Sequence, residues 1–336
     1  MVTIHDVARE AGVSPATVSR AFNKNQSVGP EYVRRVKEAA DRLGYRPNLV
    51  ARNLRTSTSD VLTVIVPDID NNFHTAVARG AEDVAQEAGY SVLLGNSDED
   101  PQKEKRYIEA SELHRVAGVL LCPHTRDVDI SALTAHGVPV VAIDREIRAD
   151  VDTVMASNSV GAYEATMHLH SEGWKRPACI SGPFELETHM KRVDGYTSAM
   201  LELGLEPAIS SGHYDPEGGY QAASSLMERD VPPDSFFVVN ERVCIGVLRM
   251  LRERGLIMSR DVGVITFDDT PWAPLITPPM SVVEQPAYEI GAQAARMLIE
   301  RLQGGANIPS RKVELATRLV VRESSRGPLS HSGNSS

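Results

Sequence analysis

Aromatic side chains are scarce in this 336-residue chain, at 5%, and cysteine is nearly absent, with Cys122, Cys179 and Cys244 the whole supply. The three thiols are far apart, and each sits in an apolar run (GVLLC, PACIS, RVCIGVL). An odd, dispersed set excludes a disulfide scaffold or a paired-cysteine zinc site and predicts buried, reduced thiols. No run of about 18 apolar residues occurs, and the opening MVTIHDVAREAG lacks a basic stretch followed by an apolar one. No membrane contact and a cytoplasmic location are therefore expected. Catalytic signatures are missing as well: no Walker-type loop, no GxGxxG after a strand, no HExxH and no GxSxG. The chain reads as a non-enzyme without a cofactor. His168 and His170 with Cys179 offer metal-ligand chemistry, but alternate positions on a helix point in different directions, so no metal site is expected.

Net positive charge is also lacking, since the whole chain stands at −10, which argues against a nucleic-acid partner until the distribution is examined. Residues 1–59 hold ten Lys and Arg against five acids, a local +5 that leaves −15 on the remainder. A small basic module fused to a large acidic one suits attraction to phosphates at one end and repulsion of stray DNA by the rest.

The basic segment carries strong helix punctuation. Thr3 with Asp6 forms a capping-box pair and Gly12 a stop; Ser14 followed by Pro15 is a second start; a third helix opens near Pro30 and ends at Gly44. The second helix is expected to run to about Asn23. Only a tight turn separates the first two helices, so they must cross and bury Val7, Ala8, Val13, Val18 and Phe22 together. This is helix-turn-helix spacing. With the second helix in a major groove, Pro15, Ala16 and Arg20 reach base edges: Arg20 can pair bidentately with guanine, and the other two offer apolar contact. Thr3, Ser14, Thr17 and Tyr32 suit phosphates. The next stretch, GYRPNLVARNLRTSTSD, starts with proline, has too few apolar positions to fold alone and runs into a Ser/Thr linker, as a hinge would.

From Val61 short apolar strands alternate with amphipathic helices, the pattern of a parallel sheet wound with helices. VLTVIV, SVLLGN, GVLLC and PVVAID fall in one half, and PACISG, FFVVN and VGVITFD in the other. Two similar subdomains follow, with SVVEQPAYEIGAQAARMLIERL crossing back to the first. In such sheets ligands lie beyond the carboxyl ends of strands. Those ends carry Asp70, Asn71, Phe73 and His74, then Asp144 and Arg145, then Asn240, Asp268 and Gln285, with Arg192 and Tyr214 on nearby loops. Carboxylates, guanidinium groups and amides beside flat rings are what a sugar demands, because each hydroxyl both donates and accepts.

The run TIHDVAREAGVSPATVSRAFN, followed by VRRVKEAADRLGYRPNLVARNLR, closely resembles the headpiece and hinge helix of the lactose-repressor (LacI) family of bacterial transcription regulators. The similarity extends over nearly the whole chain and to the periplasmic ribose-binding proteins. It implies an α/β fold: an N-terminal three-helix headpiece (1–46), a hinge helix and linker (47–59), and a core (60–325) of two doubly wound parallel-sheet subdomains like a periplasmic binding protein. Subdomain one takes about 60–160 and 288–318, subdomain two about 161–287 and 319–325, and 326–336 is a disordered tail. In the family a hinge leucine wedges into a minor-groove base step; the matching residue is Leu54, flanked by Ala51 and Arg55. A pyrimidine-purine step is the easiest to unstack, so a pseudo-palindromic operator with a central CpG is expected. The family's pentose site carries over to Asn71, Phe73 and His74, Asp144 and Arg145, Arg192, Asn240, Asp268 and Gln285. Asn72, His74 and Glu241 depart from the usual proline, second aromatic ring and aspartate. The implied function is repression of sugar-utilisation genes, relieved by a pentose-like effector. A corepressor-dependent or activating regulator sensing a nucleoside or other small metabolite and a sugar-binding transport receptor stand as alternatives. The tail lacks a leucine heptad, so a homodimer is expected rather than a tetramer.

Overall fold

The computed structural model describes residues 2–22, 28–45, 59–182, 186–304 and 308–327. Its contacts divide the chain into two compact units, Met1–Ser59 and Asp60–Ser336.

The first unit contains helices α1 (Ile4–Ala11), α2 (Pro15–Ala21) and α3 (Pro30–Leu43). Thr3 and Asp6 close a reciprocal capping box, the Ser14 hydroxyl accepts from the Thr17 N–H at 3.1 Å, and Gly12 and Gly44 end α1 and α3 in left-handed conformations. α2 stops at Ala21, short of the expected Asn23, which lies outside the described residues. Val7, Ala8, Ala11, Val18, Val36, Ala39 and Ala40 make the core, with Val13 and Phe22 half-buried against it. Arg35 fastens the first helix to the third by donating to the Ala11 carbonyl at 2.6 Å.

In the second unit, described strands form two six-stranded sheets. One is ordered β11-β5-β4-β3-β1-β2 and the other β12-β10-β9-β8-β6-β7. The first comprises β1 (Val61–Val66), β2 (Ser91–Asn96), β3 (Gly118–Leu121), β4 (Val140–Ile143), β5 (Asp152–Ala156) and β11 (Lys312–Leu315). The second comprises β6 (Pro177–Ser181), β7 (Ala208–Ser211), β8 (Ser235–Val238), β9 (Gly263–Phe267), β10 (Ser281–Glu284) and β12 (Arg318–Val320). Every pairing is parallel except β10 with β12. The two orders are the same pattern used twice. The chain passes between sheets after β5, after β10 and after β11.

After β10 the helix Ala287–Leu302 returns to pack on the helix Asn72–Glu87 of the first subdomain, Ile290, Ala294 and Leu298 joining Val77 and Ala81 in one core. Glycine makes the approach possible. A β-carbon on Gly80 would lie 2.0 Å from the Tyr288 carbonyl oxygen, and one on Gly291 1.9 Å from that of Val77. The strand β5, not anticipated from its polar first residues, opens with the fully buried Asp152. Arg301 grips that carboxylate at 2.7 and 2.9 Å and the Arg311 N–H adds 2.8 Å, so the buried charge is paired and hydrogen-bonded. Gly327 still donates to Glu172, past the point where a disordered tail was expected to begin. All three cysteines are free and buried, and burial pushes the Cys244 thiol up to about 12.

Candidate functional site

The strand ends of the two sheets meet around a narrow pocket whose cavity volume is only about 20 Å³, room for about one water molecule. Asn71, Phe73, His74, Asp144 and Arg145 come from the first subdomain; Arg192, Tyr214, Asn240, Asp268 and Gln285 complete the expected set, and all ten line it. Asp70 does not. Arg192 was expected on a loop and instead sits in the helix Glu187–Glu202, one turn after Thr188 and His189, two lining residues the strand-end rule misses. Asn71 and Asn240 double as helix caps, accepting from the Phe73 and Val243 N–H groups at 2.8 and 2.9 Å. The helices they cap are Asn72–Glu87 and Glu241–Glu253.

Each polar group is held in place. Arg145 forms a two-pronged pair with Glu99 at 2.6 and 3.0 Å and donates to the Pro123 carbonyl at 3.0 Å. Burial alone pulls its pKa down, but Glu99 and Asp144 more than offset this, and it stays charged. Arg192 donates to Asn158 at 2.7 Å and to the Val239 carbonyl at 2.5 Å, its guanidinium 3.9 Å from the centre of the Phe267 ring. Asp268 accepts from the Gln285 amide at 2.6 Å, and burial raises its pKa. His74, whose pKa burial lowers, points Nδ1 at the Asp68 carbonyl at 3.0 Å; a carbonyl only accepts, so Nδ1 carries the proton. The Asn240 amide lies 3.0 Å from His189 Nε2.

Several polar atoms of this pocket have no partner although they are buried: Asp144 Oδ1, Arg145 Nε and Gln285 Oε1. Buried polar groups ordinarily find partners, so orphans converging on one cavity mark where a polar ligand would sit. His74, Cys122 and Asp144 also bring metal-ligand atoms within 4.8 Å of one another. Burial holds the Cys122 thiol protonated, and a cation, Arg145, already lies 3.8 Å from Asp144. The cluster thus suits a neutral hydroxyl better than a metal ion.

Contacts across the cleft hold it closed. Asn71 donates to the Tyr214 hydroxyl at 3.3 Å, the Glu146 N–H donates to Glu187 at 3.0 Å, and Arg242 pairs with Asp68.

In the first unit, Ala16 and Arg20 are exposed on α2 and Pro15 half-exposed, while Tyr32 at 46% exposure lies on α3. The Thr3 hydroxyl is engaged with Asp6 at 2.7 Å and that of Ser14 with Thr17 at 2.9 Å, so both serve helix starts. Ala51, Leu54 and Arg55 lie outside the described residues.

Residues 59–318 match the family described as periplasmic binding proteins and sugar binding domain of the LacI family, and residues 3–48 match the bacterial regulatory proteins of the lacI family. The chain belongs to the LacI family. It is 36% identical over 331 residues to catabolite control protein A of Priestia megaterium, covering 97% of this chain and 99% of that one. It is 33% identical over 327 residues to the ribose operon repressor of Halalkalibacterium halodurans, covering 97% and 98%. Among solved structures, the transcriptional regulator CelR in complex with cellobiose superposes with a TM-score of 0.73 at 30% identity, covering 96% of this chain and all of that one. The protein is accordingly a DNA-binding transcriptional regulator of the LacI family, with the regulatory-protein match in the first unit and the sugar-binding-domain match in the second. Among the described residues, no helix is long and apolar enough to cross a membrane.

Further pocket supports of this LacI-family sensor escaped the sequence reading. Glu99 and His124 follow β2 and β3, and the strand-end rule applied to SVLLGN and GVLLC reaches both. His124 Nδ1 lies 3.0 Å from Glu99.

Proposed function

We propose that this regulator represses sugar-utilisation genes from the cytoplasm as a homodimer, has no catalytic activity, and is released from a pseudo-palindromic operator when a pentose or pentose derivative enters its cleft. The single observation that carries the reading is that Asp144, Arg145 and Gln285, each with a buried polar atom that makes no hydrogen bond, line one pocket between the sheets. They need a ligand rich in groups that both donate and accept, and Phe73 and Tyr214 supply flat faces for its C–H surface. The similarity to a ribose operon repressor and to a cellobiose-bound regulator supports a sugar. Arg20, Pro15 and Ala16 would read bases and Thr17, Tyr32 and Arg55 phosphates, with Leu54 wedged at a central CpG and Ala51 beside it.

Thermal unfolding of the purified protein with pentoses, hexoses, phosphosugars and nucleosides tests the effector class. A ligand at a hundred times its Kd should stabilise by about 2.7 kcal/mol. Stabilisation by a neutral sugar alone is the expected result; stabilisation only by phosphosugars or nucleosides would overturn it.

A further inference from the structure

Charge is unevenly matched where the two subdomains meet. The first subdomain brings Asp68, just after β1, and Asn72 at the start of the helix Asn72–Glu87. The second brings Glu241 and Arg242, which open the helix Glu241–Glu253, and Asp268 after β9. Arg242, the cation of this seam, is committed: it pairs with Asp68 and lies 5.7 Å from the centre of the Tyr214 ring. Asp268 has the Gln285 amide at 2.6 Å and the charge of Arg192 beside it. Glu241 is only 7% exposed, and its hydrogen-bond donor is the Asn72 side chain from the other subdomain.

Part of what surrounds Glu241 therefore belongs to the opposite side of the cleft. Opening carries Asp68 and Asn72 away and lets water in; closing walls the carboxyl in beside Asp268 and Asp68, with Arg242 already spent. A buried carboxylate without a cation of its own is costly, and the simplest remedy is to hold a proton. Burial, with Asp268 and Asp68 adding repulsion, accordingly pushes the closed-state carboxyl up to about 7 against the pull of Arg242 and Asn72.

We infer that closing the cleft binds a proton at Glu241, which makes the seam a latch that holds in acid and loosens in alkali. The latch contributes fully below about pH 4.5, the ordinary carboxylate value, and its contribution is lost as pH rises through about 7. The inference does not depend on which effector the cleft takes.

The three free thiols of the full chain test this without a ligand. Cys122 is 1% exposed, with its thiol 3.9 Å from the pocket residue Asp144, so its labelling reports opening of the cleft. Cys179 and Cys244, buried in the cores around the second sheet, report unfolding of that subdomain. Labelling with 4,4′-dithiodipyridine, referred at each pH to the urea-unfolded chain so that thiol chemistry cancels, gives a protection factor for each site. Cys122 should label faster than the other two, and its protection should fall at least about fivefold between about pH 6 and pH 8.5, below the limit of about tenfold per pH unit for one proton. Glu241→Gln, or Glu241→Ala should the amide not fold, should hold Cys122 protection constant within about twofold over the same range. Flat protection in the wild type, or the wild-type slope persisting in a folded variant, would overturn the inference. If the three thiols label in step, the proton belongs to folding rather than to closing, and the inference falls as well.

Discussion

Asp144 and Asp268 occupy the same place in two different sheets. Each follows the strand third from the β11 or β12 edge of its sheet, each has a left-handed backbone with φ of 66° and 75°, and each donates its N–H at 2.9 Å to the next strand, at Val154 and Val283 respectively. The chain turns sharply there and turns a carboxylate into the pocket from either side. Aspartate and asparagine tolerate this backbone far better than branched residues do. Asp268→Asn should therefore stay folded, whereas Asp268→Val should unfold about 1–2 kcal/mol more easily than Asp268→Asn in urea, the scale of one left-handed residue with a bulky side chain. Equal stability of the two variants would show that the backbone does not select the residue.

Glu241 gives the fold a pH dependence. Burial, reinforced by the nearby Asp268, pushes its pKa up to about 7 against an ordinary 4.5, only partly countered by Arg242 and Asn72. The folded state thus holds a proton there that the unfolded chain has released, so this residue's contribution to stability falls as pH rises from about 4.5 through about 7. Glu241→Gln should melt higher than wild type at pH 8, and the gap should narrow as pH falls and close below about pH 4.5. A constant gap across that range would refute the assignment.

At the headpiece, Arg20 stands exposed on α2. Arg20→Ala should relax discrimination at one guanine by roughly 1–3 kcal/mol, measured by competition between operator variants. Uniform weakening on all sequences would make it a phosphate contact instead. Leu54→Ala should cost a similar roughly 1–3 kcal/mol of specific affinity, seen as a weaker footprint on the same operator.

The Arg242–Asp68 pair spans the cleft with the arginine side chain 37% exposed, so its worth is that of a partly screened ion pair, about 0.2–1 kcal/mol. Arg242→Ala should raise the effector Kd by up to about fivefold, mainly through faster release in stopped-flow traces. Unchanged affinity and release would show that the pair does not hold the closed form.

Much of this is legible in the sequence. Caps such as Thr3–Asp6 and Ser14–Pro15 are local chemistry, and apolar runs such as VLTVIV admit one reading. The lining residues were found because parallel sheets put ligands at strand ends. Residues that reach the pocket from a helix flank escaped: Thr188 and His189 follow no strand. β5 escaped because its leading Asp152 looks like a surface residue until Arg301 and Arg311, about 150 residues away in sequence, are seen to cover it. Pairing of that range is a tertiary fact. Glu99 was reachable by the rule already in use, but its bond to Arg145 was not, and that bond shows the guanidinium to be anchored within its own subdomain.

The central claim is that one cleft senses a sugar and the headpieces feel it. It is tested most directly by the anisotropy of a labelled palindromic operator with a central CpG, titrated with the full chain with and without the sugar found to stabilise it. Wild type should lose about 5- to 150-fold in operator affinity at saturating sugar, a coupling of about 1–3 kcal/mol. Asp268→Ala and Arg145→Ala should bind the operator as wild type does and ignore the sugar. Wild-type operator affinity unmoved by bound sugar, or folded variants that lose operator binding outright, would contradict the account.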